Sequence, residues 1–102
     1  RQYFLYWKSW HDELLNFLSE SMNHKKQLDC IREATKNLQQ LLPLLRQDKQ
    51  KKLDDYISQM IELESSIAND AAGGRIAQNR LAAERLRMNI LRDFSYNKIK
   101  PL

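Results

Sequence analysis

Tyr3-Phe4-Leu5-Tyr6-Trp7-Lys8-Ser9-Trp10 opens the chain, and every later segment has to accommodate it. Five of the nine aromatic residues fall in these first ten positions, so the largest parcels of apolar area sit at one end of one element. At about 100° per residue, Tyr3, Trp7, Trp10, Leu14 and Phe17 form one stripe, and Phe4, Leu15, Leu18 and Met22 form a second beside it. The combined arc is wider than a surface helix needs. The pattern predicts a helix over 3–22, roughly 30 Å long at about 1.5 Å per residue, packed against at least two other helices. A rival start at Ser9, whose Ser-x-x-Asp12 spacing resembles a capping box, would leave the aromatic run outside any helix.

Composition supports a helical reading. The chain has 102 residues, 42% of them hydrophobic and 29% charged, enough for one domain with one core. Only two Gly and two Pro occur, and helix-favouring residues dominate, which argues against a turn-rich all-β domain. The apolar runs Tyr3–Trp7 and Leu41–Leu45 are five residues each, far short of the roughly 20 needed to span a bilayer. A single Cys, at 30, excludes an internal disulfide and fits a reducing compartment, so an intracellular setting, cytoplasm or nucleus, is expected. Opening on Arg1 rather than Met, the chain reads as a piece of something longer, and a targeting signal could lie outside it.

The few helix-breaking residues mark the joints. Near Ser21-Met22-Asn23-His24 the apolar phase slips, with Ser21 or Asn23 as N-cap candidates. The second helix, about 25–42, carries Leu28, Ile31, Thr35, Leu38, Leu42 and Leu45 at three- and four-residue spacing, the weakest stripe of the set. Pro43 ends it, and Arg46–Lys52 reads as a polar connection. A third helix, about 50–71, presents Leu53, Tyr56, Ile57, Met60, Leu63 and Ile67 on one face. Gly73-Gly74 then mark a turn or a helix end. The fourth helix, about 75–94, aligns Ile76, Ala83, Leu86, Ile90 and Phe94. The expected architecture is therefore all-α: an antiparallel helical bundle of three long helices plus one shorter one in a domain of residues 1–94, with 95–102 as an extended tail.

Charge is unevenly distributed. From Leu53 to Asp70 there are five acidic residues and no basic one, whereas 71–102 hold seven basic against two acidic. Folded back on each other, the two segments would attract, which favours orientation more than stability.

Catalytic constellations are missing. His11 points about 100° or more away from both Ser9 and Asp12 on a helix, so nucleophile and base could not meet. Glu20 and His24 share a face, yet the remaining ligands of a di-metal bundle site are absent, and a helix-end hydrogen bond suits them better. Asp29 beside Cys30 disfavours a thiolate, which makes Cys30 a small, partly buried residue. Phosphate cradles are absent, and Gly73-Gly74-Arg75 is a two-glycine turn sooner than an anion site. No enzyme activity, cofactor, metal or small-molecule substrate is expected.

What remains is binding. The fourth helix carries Ala77, Leu81 and Met88 on a second strip, about 140–180° around the wheel from its main stripe, with Arg85 and Arg92 along one edge. An apolar centre with an arginine border is the composition that interfaces favour. The expected function is a non-catalytic protein–protein interaction or assembly module of a larger intracellular complex, binding a partner protein or forming a homo-oligomer through Leu81, Arg85, Met88 and Arg92. The alternative is a basic helical domain that associates with RNA or DNA, suggested by a net charge of +4 and the arginines of the last third. Against it, Arg80 and Arg87 lie on one side of the helix and Arg85 and Arg92 on the other, not in one track along a phosphate backbone.

Overall fold

A computed structural model describes residues 2–19 and 23–95. Four helices account for most of them: α1 (Gln2–Phe17), α2 (His24–Leu41), α3 (Gln47–Ala68) and α4 (Ile76–Phe94), with a 3-10 turn at Leu42–Leu44 and no strand among the described residues. Each helix packs on its sequence neighbour, and α1 also meets α4, so the four form a ring around one core. The tail expected at 95–102 lies outside the described residues from position 96 onward.

Along α1 and the turn after it, Phe4, Trp7, His11, Leu14 and Leu18 are buried. Their three- and four-residue spacing is a narrow helical stripe. It corrects the expected one, because Trp10 is 38% exposed and His11 is fully enclosed in its place. Imidazole tolerates burial here because both ring nitrogens are partnered: Trp7 Nε1–H donates to Nδ1 (3.0 Å) and Nε2–H donates to the Ala83 carbonyl (2.7 Å). The first helix also stops earlier than 22. Gln27 Nε2 donates to the Phe17 carbonyl at 2.9 Å and the Ser19 hydroxyl to the Asn16 carbonyl at 2.6 Å, so carbonyls of the last turn are satisfied without the helix continuing. As a result α1, at 16 residues, is shorter than the 18-residue α2 that the stripe had marked as the shorter helix.

Asn23 caps α2, its side-chain oxygen accepting from the Lys26 amide at 3.1 Å. Beyond α2 the chain does not open into a long connection. Pro43 sits in the first turn of the 3-10 segment, where its missing N–H costs nothing, and α3 begins at Gln47 instead of 50. The Gln50 side chain donates to the Leu45 carbonyl at 2.8 Å and fixes the approach. All six apolar positions expected to face the core from α3 are buried. Between α3 and α4 the turn is real: Gly73 has φ 79°, its amide bonds the Asp70 carbonyl at 3.0 Å, and the Asp70 carboxylate accepts from the Arg75 amide at 2.9 Å. The anion at the start of α4 is thus supplied by the chain itself.

Cross-helix bonds set the heights of the helices. His24 Nε2 meets the Ile67 carbonyl (2.8 Å), Arg32 meets Glu64 (2.9 Å), Ser66 meets Asn79 (2.6 Å), and Tyr56 bonds Asp93.

Candidate interaction surface

Four residues define the strip singled out on the last helix. Leu81 is 48% and Met88 67% exposed, and Arg85 and Arg92 are exposed as well. The core stripe of α4, made by Ala83, Leu86, Ile90 and Phe94, points the other way, and Asn79 extends it by bonding Ser66. Ile76 is only partly buried. On a helix of about 3.6 residues per turn, Leu81 and Met88 are two turns apart on one line.

Beside that line α4 meets α1 across a groove of about 770 Å³, lined by Asp12, Leu15, Asn16, Arg80, Leu81, Glu84, Arg85, Arg87 and Met88. Its floor is polar. Arg87 Nε donates to Asp12 at 2.6 Å, Lys8 reaches the other carboxylate oxygen at 3.0 Å, and Arg80 pairs with Glu84 at 3.3 Å. Burial alone would raise the Asp12 pKa, but hydrogen bonds from Arg87 and Lys8 outweigh it and hold the carboxyl below its ordinary value. Both acids of the groove are therefore neutralised, and Arg85 is its one cation without an ion pair among the described residues. Arg92 is engaged differently, through Nε and Nη2 on Asp93 at 3.0 and 3.3 Å.

Asp12, Leu15, Arg80 and Arg87 were not among the expected site residues. Arg80 and Arg87 shared a side in the sequence pattern; that side is the one turned to α1, a fact no wheel of α4 alone contains.

Other candidate groups are accounted for locally. Ser9 is exposed, His11 faces the core and Asp12 faces Arg87, so the three do not converge. His24 bonds the end of α3, and Glu20 lies outside the described residues. Cys30 is 2% exposed, deeper than expected, and desolvation raises its pKa. Among the described residues, no three His, Cys, Asp or Glu side chains gather as a metal set, and no helix is long and apolar enough to cross a membrane. Asp93 sits low, with a pKa of about 2, because Arg92 donates to it, with Tyr56 and Lys52 adding to the effect. Compared with family models, with curated proteins and with solved structures, the chain matches none.

Proposed function

We propose that this chain is a non-catalytic interaction module, an antiparallel four-helix bundle that serves assembly within an intracellular complex. The observation that carries the reading is the exposure of Leu81 and Met88 on a helix whose opposite face already fills the core. Two large apolar side chains on one line, bordered by Arg85 and opening on a groove, have the make-up of an interface centre. The antiparallel arrangement is supported by the order of the cross-helix bonds: His24 with Ile67 and Arg32 with Glu64, Tyr56 with Asp93 and Ser66 with Asn79. The single buried thiol supports an intracellular setting.

Nucleic-acid binding is the weaker reading. Arg80, Arg87 and Arg92 are each paired with a carboxylate, Phe4, Trp7, Tyr56 and Phe94 are core residues unable to stack on bases, and the exposed Tyr6 and Trp10 lie on α1 and not on the arginine-bearing α4.

Paired substitutions test the proposal. Leu81→Glu or Met88→Glu is expected to abolish association, read by light scattering for self-association and by retention of protein from cell extract, with the melting temperature near wild type. Leu86→Glu or Ile90→Glu is expected to unfold the domain. Loss of the circular dichroism signal in Leu81→Glu would show the strip to be core. Binding to RNA or DNA that weakens steeply with salt would favour the other reading.

A further inference from the structure

We propose that the occupant of the α4 face is a second copy of this chain, docked with its α3 over α4 in a two-fold dimer whose axis runs along the helices. The proposal rests on the reading of α4 as an interaction surface and supplies the complement to it. The outer side of α3 carries Asp54, Asp55 and Glu62, all exposed and none in an ion pair among the described residues, with Ile61 half exposed beside them. No basic residue occurs between Leu53 and Asp70 to offset them. The neighbouring α4 carries Leu81, Arg85 and Met88 outward. One molecule thus presents an acidic helix face next to a basic and apolar one, and each is the complement of the other.

Spacing and height agree with the pairing. Asp55 and Glu62 are seven residues apart, as are Arg85 and Arg92, and both intervals equal two helical turns, about 10.5 Å. Tyr56 stands beside Asp93 and Ser66 beside Asn79, which places Asp55 within about 3 Å of the height of Arg92 and Glu62 within about 3 Å of the height of Arg85. Glu62 and Arg85 border the same hollow of about 390 Å³ between α3 and α4, yet no ion pair joins them. A two-fold axis parallel to the helices leaves every height unchanged and exchanges the two sides of the α3–α4 layer. Glu62 of the second copy then meets Arg85, Asp55 of the second copy meets the outer side of Arg92, and Ile61 of the second copy falls between the heights of Arg85 and Met88. Every contact is made twice, and the arrangement closes at two copies.

The layer is large enough, though barely. A helix of 19 residues spans about 28 Å, and the molecule is 18–19 Å across. That face offers roughly 500 Å² per copy, about 1,000 Å² in total, the lower bound for a specific interface, so a dissociation constant in the micromolar range is expected.

Charge reversal in trans tests the contact. Arg85→Glu and Glu62→Arg would each place like charges opposite one another twice in the dimer, and each is expected to weaken self-association by about tenfold or more in sedimentation equilibrium. Mixed in equal amounts, the two variants form a heterodimer in which one contact joins the two substituted side chains, again of opposite sign, and the other keeps the native Glu62 and Arg85. Association is then expected to return to the wild-type level. Restoration in the mixture excludes an effect within one chain and supports the dimer. A wild type that stays monomeric at several hundred micromolar overturns the second copy as occupant and leaves the α4 surface to be judged on a foreign partner. A dimer that Leu81→Glu leaves intact overturns the surface itself. A dimer sensitive to Leu81→Glu but indifferent to Glu62→Arg overturns the pairing with α3.

Discussion

His11 has no room for a proton. Its Nδ1 accepts from the Trp7 indole and its Nε2–H donates to Ala83, so a second ring proton would set two donors against each other. Burial lowers its pKa from 6.5 to about 4, with Arg87 nearby adding to the effect and the Ala83 carbonyl and Asp12 opposing it. The unfolded chain therefore takes up a proton that the folded chain refuses. Stability is complete above about pH 6.5, falls as the pH drops from there to about 4, and levels off below, for a loss of about 3 kcal/mol. Urea melts at pH 7.0, 5.5 and 4.5 check this, and a flat profile would contradict it. Asp93 contributes only lower down: its pKa of about 2 gives stability that is present above the usual carboxylate value and lost as the pH falls toward 2. At the same scale the two tryptophans separate. Trp7, with no exposed surface, is expected to cost about 3–5 kcal/mol when replaced by Ala. Trp10, 38% exposed, should cost about 1 kcal/mol, and equal losses in denaturant would put both in the core. The sequence ranked both by apolar area alone; what singles out His11 is a carbonyl 72 residues away, which no local spacing can announce.

Helix ends were the more legible where the signal was local. Asn23 reads as a cap in the sequence and acts as one, and α3 follows its apolar period because that face is the whole of its contribution to the core. In α2 the buried face is wider than the stripe predicts: Gln27, Cys30, Ala34 and Leu41 are buried along with Ile31, Thr35 and Leu38, since α2 packs on both α1 and α3. Small and polar residues on the second flank give little hydrophobic signal. The Gly73-Gly74 joint gives the sharpest test. At Gly73 the positive φ strains any L side chain, so Gly73→Ala is expected to destabilise by about 1 kcal/mol or more. A Cβ on Gly74 would meet only Asp70 Oδ1 at 3.9 Å, so Gly74→Ala should be neutral or stabilising by up to about 1 kcal/mol. Thermal melts in which both changes stabilise would mean the joint is not the turn described.

At the scale of the molecule, the exposure of one helix face is legible in the sequence and the walls of the groove beside it are not. Leu81 and Met88 follow from the wheel of one helix, because a face opposite the core stripe is outward whatever packs on the stripe. The α1 wall of the groove does not follow, since it depends on which helix closes the ring beside α4. That closure is made by Arg87 with Asp12, Arg80 with the Leu15 carbonyl, and His11 with Ala83, polar contacts whose partners lie 65 to 75 residues apart. Long-range polar contacts of this kind are set by topology and leave no periodic trace.

Cys30 turns this architecture into a clock. The chain's one thiol lies under the α1–α2 packing at 2% exposure, and burial, with Glu13 adding to it, raises its pKa, so an aromatic disulfide reagent can reach it only when the fold opens. The labelling rate, divided by that of the chain in denaturant, then reports the free energy of opening in native buffer. If α1 leaves as a unit while the other three helices hold together, labelling should exceed the rate set by global unfolding and depend weakly on urea. If the ring opens only all at once, the two free energies should coincide.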